Sequence, residues 1–117
     1  MTNPVTHFEI MGENAIALQK FYADVFGWKL APPIKEMGNY SLFDNEGQGI
    51  GGGIGEEDKG RVTIYIEVDD PQAYLDKAVK AGAKLMMGVT QVTPDTTIAM
   101  FSDPSGNTTG LLKAHPH

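Results

Sequence analysis

Residues 4–11 alternate along the chain, with Val5, His7, Glu9 and Met11 on one face and Thr6, Phe8 and Ile10 on the other. Alternation of period two predicts a strand with one mainly apolar face. Glu13 or Asn14 is then placed to cap a helix in which Ala15, Leu18, Phe21, Tyr22, Val25 and Phe26 fall on one stripe. Gly27 ends it. Trp28–Ala31 reads as a strand stopped by Pro32-Pro33, and Tyr40–Phe43 as another turning at Asp44-Asn45-Glu46-Gly47. Ile50–Ile54 is a fourth strand, weakened by its glycines.

The second half repeats this order. Val62, Ile64, Ile66 and Val68 alternate with Thr63, Tyr65 and Glu67. Asp70-Pro71 supplies a cap and a first-turn proline. Tyr74, Leu75, Ala78 and Val79 form the helical stripe, and Gly82 closes it. Lys84–Val92, Thr96–Ser102 and Thr109–Lys113 follow as strands. The turns repeat as well: Asp44-Asn45-Glu46-Gly47 with Gly51 matches Asp103-Pro104-Ser105-Gly106 with Gly110, and Gly27-Trp28-Lys29-Leu30 matches Gly82-Ala83-Lys84-Leu85. Two like units joined without a linker point to a tandem duplication around a shared space. The expected fold is α+β: two βαβββ modules, about 4–56 and about 61–114, within a single domain spanning 1–117.

A chain of 117 residues is one domain's worth. Fifteen acidic against nine basic residues give a net charge of −6, and no basic run interrupts it, which argues against nucleic acid as a partner. The absence of cysteine excludes a disulfide scaffold and thiol catalysis, and suits a reducing compartment. The first ten residues lack a basic, apolar leader pattern, and no apolar run reaches membrane-spanning length. The expectation is a soluble, cytoplasmic protein without membrane association. Residues 114–117 read as a loose tail.

Three strings carry a family resemblance across nearly the whole chain. They are Val5-Thr6-His7-Phe8-Glu9-Ile10 with the helix ending Phe21-Tyr22-Ala23-Asp24-Val25-Phe26-Gly27-Trp28, then Tyr65-Ile66-Glu67-Val68-Asp69-Asp70, and Phe101-Ser102-Asp103-Pro104-Ser105-Gly106-Asn107. In order and spacing they resemble the vicinal oxygen chelate superfamily of glyoxalase I, bleomycin-resistance proteins and extradiol dioxygenases. The likeness is nearest to glyoxalase-related proteins with a Phe-Glu-Ile first strand and a Gly-Gly-rich fourth. It implies sheets curled into an open half-barrel with a ligand cavity inside, helices outside, and a homodimer. Phe8, Ile10, Ile64 and Ile66 would then lie under the helices, and His7, Glu9, Thr63, Tyr65 and Glu67 would face the cavity.

The same resemblance places metal ligands of metal-using relatives on the first and last strands of each module, as His or Gln and Glu. Here those positions fall on His7, Thr63, Gly51 and Gly110. A threonine hydroxyl is a poor donor to a divalent ion, and glycine has no side-chain donor at all. Glu9, Glu67 and Glu56 remain for an unconventional set. The expectation is no metal and no cofactor.

His7 and Glu9 leave one face of one strand ~7 Å apart. An imidazole beside a carboxylate is the best acid/base candidate in the chain; the plainer reading is a hydrogen-bonded ancestral position. Tyr65 and Glu67 suit binding of an amine, amide or hydroxyl, or a solvated sheet face. Gly49–Gly55 lacks the Lys-Ser/Thr ending of a phosphate loop and opens no helix, so its glycines serve close approach of backbone, ligand or partner. Glu56-Glu57-Asp58 reads as a solvated loop. Trp28, Phe26 and Met86-Met87 fit a pocket wall or core packing alike.

The leading expectation is a small-molecule binder that works without metal, its ligand contacted by His7, Glu9, Thr63, Tyr65, Glu67, Gly51 and Gly110. The alternative is a lyase or isomerase of the lactoylglutathione lyase type, acting on a small oxygenated substrate with His7 and Glu9 as acid/base groups. A third is a non-enzymatic interaction module. Fold alone does not choose among them.

Overall fold

The computed structural model describes residues 2–115. Two compact units emerge: residues 7–62, and residues 2–6 together with 63–115. The part of the expected tail at Pro116 and His117 lies outside the described residues. Ala114 is tied down, its N–H donating to the Val68 carbonyl at 2.7 Å.

The elements run β1 (Val5–Gly12), α1 (Ala15–Phe26), β2 (Lys29–Leu30), a 3-10 turn at Lys35–Met37, β3 (Ser41–Asp44) and β4 (Gly51–Glu56). Then come β5 (Arg61–Val68), α2 (Pro71–Lys80), β6 (Lys84–Thr93), β7 (Thr96–Ser102) and β8 (Thr108–Lys113). Each half is therefore β-α-β-β-β, as the patterning predicts. The strands are ordered β2-β3-β4-β1 in the first half and β5-β8-β7-β6 in the second. In both halves the first strand pairs in parallel with the last, and the remaining pairs are antiparallel.

The local signals act as read. Asn14 caps α1, its side-chain oxygen accepting from the Ala17 N–H at 3.1 Å, and Asp70 caps α2 through the Ala73 N–H at 3.2 Å. Gly27 takes the left-handed conformation, φ 69°, that lets its N–H close on the Ala23 carbonyl. Tyr22 and Phe26 of α1 join Phe8, Trp28 and Phe43 in one aromatic cluster, with Trp28 and Phe43 stacked at 4.2 Å between centroids. Trp28 is packed on both sides in this cluster, whereas Phe26 stays largely exposed. Buried Gln19 on α1 donates to the Asn39 and Ile54 carbonyls at 2.7 and 2.8 Å, fastening the loop before β3 to β4.

In the second unit Val68, Leu75, Ala99 and Leu111 form the core, with Ile66, Tyr74 and Phe101 against it. Here burial departs from the simple alternation. Ile66 and Val68 lie beneath α2, but Ile64 is exposed, while Thr63 and Tyr65 on the opposite face are nearly inaccessible.

Candidate functional site

In the first unit the strand register sets the site. β1 and β4 pair His7 with Gly51, Glu9 with Gly53 and Met11 with Gly55. Alternation sends all three β1 side chains to the face away from Phe8, and the facing β4 residues contribute no side chain there. A strip of bare backbone runs beside His7, Glu9 and Met11.

Tyr40 roofs part of that strip. It leaves the loop before β3, where Gly38 and Asn39 both take positive φ (65° and 54°) and Gln19 holds the Asn39 carbonyl. Its ring lies over Gly53 and Gly55; a methyl group at Gly53 would overlap it, and one at Gly55 would come within 2.7 Å. Its hydroxyl stands 2.9 Å from His7 Nε2. Above Gly51 no atom lies within 4 Å of where a side chain would begin. The rung shared by His7 and Gly51 is open space.

Glu9 accepts from Arg61 Nη2 at 2.9 Å, and Arg61 also clamps Glu57 with Nε at 2.7 Å and Nη2 at 3.1 Å. The Arg61 and Glu9 side chains are only 17% and 13% exposed, so this is a largely withdrawn charge cluster rather than a surface pair. Burial works against the Arg61 cation, yet hydrogen bonds and charge from Glu57 and Glu9 outweigh it and hold the guanidinium protonated. Glu57 lies in the exposed loop after β4, as expected, and from there supplies half of that clamp.

Burial pushes the His7 pKa below its ordinary value, with the Glu9 charge pulling weakly the other way. Burial therefore favours the uncharged imidazole. Either Nε2 donates to the Tyr40 hydroxyl or accepts from it, according to tautomer.

The second unit fills the matching place differently. The β5–β8 register sets Tyr65, rather than Thr63, opposite Gly110. The Tyr65 ring lies directly on Gly110, and its hydroxyl stands 3.9 Å from Met100 Sδ. Thr63 is buried, and the backbone N–H of Glu67 donates to the Pro4 carbonyl at 2.8 Å.

The donor positions implied for a divalent ion do not fit one. His7 Nε2 is engaged with Tyr40, the side-chain space of Gly110 is taken by Tyr65, and Gly51 offers no donor. Among the described residues no three of His, Cys, Asp and Glu come together. Three protein ligands are the usual requirement of a catalytic zinc site. A separate shallow groove of about 390 Å3 lies along β2 and β3, lined by Lys29, Leu30, Ala31, Leu42, Phe43 and Asp44, and contains none of these residues. Its lining brings together no His, Cys or Tyr side chain.

Residues 10–112 match the model of the glyoxalase-like domain. The chain belongs to this family. A glyoxylase-like domain-containing protein of Didymella fabae is 30% identical over 115 residues, covering 89% of this chain and 88% of its own. A Mycobacterium tuberculosis protein with glyoxylase in its name is 30% identical over 109 residues, 86% of this chain; the chain spans 42% of that relative's length. The fold of the family is shared with methylmalonyl-CoA epimerase from Mycobacterium tuberculosis, whose crystal structure gives a TM-score of 0.71 at 16% identity over 99% of this chain and 93% of that one. No helix among the described residues is long and apolar enough to cross a membrane.

Tyr40, Arg61 and Glu57 escape the strand patterning because their partners lie on other elements. The signal for Tyr40 is indirect: a strand with glycine at 51, 52, 53 and 55 asks for side chains from elsewhere to cover it, and an aromatic residue stands just before the neighbouring strand.

Proposed function

We propose that this glyoxalase-like protein binds a small molecule at the His7 face of its first module without a metal ion. The observation that carries the reading is the His7–Tyr40 pair standing beside the open rung over Gly51. A ligand there meets bare backbone as a floor and a hydrogen-bonding pair at one end, the combination of shape and few polar groups that small-molecule sites use. Glu9 stays beside it, charge-balanced by Arg61.

The second reading is proton transfer on a small oxygenated substrate, as in a lyase or isomerase. It is favoured by the same pair, since a neutral imidazole bonded to a phenol can take up and return a proton. The protein of like fold named methylmalonyl-CoA epimerase makes a carbonyl-activated substrate a reasonable first choice for assay. We further propose a homodimer. β6 is a ten-residue edge strand of its module, exposed along nearly its whole length, and Leu85 and Met86 leave more than half of their surface uncovered.

The test is elemental analysis of untagged protein, with thermal-shift screening of neutral, cationic and anionic small molecules against the unmodified chain and His7→Ala. The expected result is substoichiometric metal together with ligand stabilisation lost in His7→Ala. One equivalent of a divalent metal per chain, lost with His7, overturns the metal-free reading and promotes the enzymatic one.

A further inference from the structure

We propose that the groove along β2 and β3 is a second binding site of the first module, for a zwitterion that carries its ammonium and carboxylate close together on an apolar body, as a free apolar α-amino acid does. It goes beyond the binding reading above, because no residue of the His7 face takes part.

The register builds the groove. β2 and β3 pair Lys29 with Asp44 and Leu30 with Phe43, and on the next rung the Ala31 N–H donates to the Leu42 carbonyl at 2.9 Å. Alternation puts Lys29, Asp44, Ala31 and Leu42 on one face. The rung between them sends its side chains the other way, where Phe43 stacks on Trp28 and backs the floor. One end of the groove is therefore a pair of opposite charges with Cβ atoms about 5 Å apart. The other is half-exposed Leu42 beside exposed Ala31. A volume of about 390 Å3 lies at the small end of ligand sites and suits a ligand of amino-acid size.

The charges decide the ligand. Lys29 and Asp44 stand opposite each other, yet each bonds to Glu46: Lys29 Nζ pairs with its carboxylate, and Asp44 Oδ1 accepts its N–H at 2.9 Å. The backbone hydrogen bond orients the Asp44 carboxylate and leaves Oδ2 with no donor among the described residues. The Lys29–Glu46 side chains are 70% and 55% exposed, and pairs so placed are weak, so a ligand carboxylate replaces Glu46 at little cost. A simple cation drawn to Asp44 also meets Lys29, and a simple anion drawn to Lys29 also meets Asp44. A zwitterion finds an opposite charge for both of its own. Its apolar body then covers Leu42 and Ala31.

Three probes share one body: L-phenylalanine, L-phenylalaninamide (ammonium only) and N-acetyl-L-phenylalanine (carboxylate only). The capped forms also stand in for the two ends of a peptide, and so separate a free amino acid from a chain terminus. Each is titrated by NMR at about pH 6, where the ammonium is charged. The titrations use the unmodified chain, Lys29→Met, Asp44→Asn and His7→Ala, and follow the amides of Lys29, Leu42 and Asp44. Phenylalanine is expected to bind with a Kd in about the millimolar range, about fivefold more tightly than either capped form. Lys29→Met should erase its advantage over phenylalaninamide. Asp44→Asn, which can still accept the Glu46 N–H, should erase its advantage over N-acetylphenylalanine. His7→Ala should change neither. Equal affinities, a capped form preferred, ratios that survive both substitutions, or silence at the three amides overturns the proposal. Phenylalanine binding lost in His7→Ala would move the ligand to the His7 face, ending this proposal and sparing that reading. Failure of the His7 reading in its own screen leaves this site standing.

Discussion

The two modules meet the same problem in opposite ways. Each pairs its first strand in parallel with a last strand that carries glycine at the rung in question, Gly51 in one and Gly110 in the other. In the second module the residue across from glycine is Tyr65, which lies down on the bare backbone and fills it with an apolar ring. In the first it is His7, and the tyrosine comes instead from a loop, covering the next two rungs and leaving this one open. A side chain fixed to the strand becomes core; one delivered from a loop leaves a vacancy with a polar edge. The two halves share element order and strand pairing, and the source of one aromatic ring separates the packed face from the other.

The largest break in that comparison should come at Arg61, which keeps the first face polar. Arg61→Ala leaves Glu9 with little exposure and without its cation, a loss expected to cost about 3 kcal/mol of stability in chemical denaturation. The double change Glu9→Gln with Arg61→Met should recover most of it, because the charge and its partner leave together. A double variant as unstable as Arg61→Ala would mean that packing of the arginine stem, rather than pairing, is what counts.

Next come the glycines themselves. Gly110→Ala drives a methyl into the Tyr65 ring and is expected to destabilise by about 1–3 kcal/mol, the usual cost of overpacking. Gly51→Ala enters open space and should stay within about 0.5 kcal/mol of the unmodified chain. Equal costs at the two positions, read from denaturation midpoints at constant slope, would erase the distinction between a filled rung and an open one.

How much of this was visible in the chain follows from range. The caps at Asn14 and Asp70, the stop at Gly27 and the alternation of β1 and β5 are signals contained within a few residues, and the elements form where those signals stand. β4 starts one residue later than the apolar pattern suggests and runs on to Glu56, because parallel pairing with β1 sets its ends. His7 and Glu9 are legible as neighbours on one face. Their hydrogen-bonding partners are not: Tyr40 reaches His7 across 33 residues and Arg61 reaches Glu9 across 52, separations at which no periodicity survives. Thr63 and Tyr65 share a face in any reading, but only strand register shows which one stands opposite Gly110.

The smallest expected effect is the dependence of stability on pH through His7, and its sign follows from burial. Burial lowers the folded-state pKa below the unfolded value of about 6.5, and Glu9 opposes that shift without reversing it. Tyr40 meets the ring at Nε2. Below about 6.5 the unfolded chain therefore binds a proton at this residue that the folded chain resists, so unfolding takes up protons and stability falls as the medium is acidified. The His7 contribution is complete above the unfolded pKa and disappears progressively as pH drops through the folded one. His7→Gln should remove this component, so the difference in unfolding free energy between the two chains should narrow or change sign on acidification from pH 7.5. No neutral imidazole remains in that variant to resist protonation. A difference that stays constant over that span would mean that His7 titrates alike in both states. A difference that widens on acidification in favour of the unmodified chain would mean that His7 is charged in the folded protein, and the uncharged His7–Tyr40 pair would have to be abandoned.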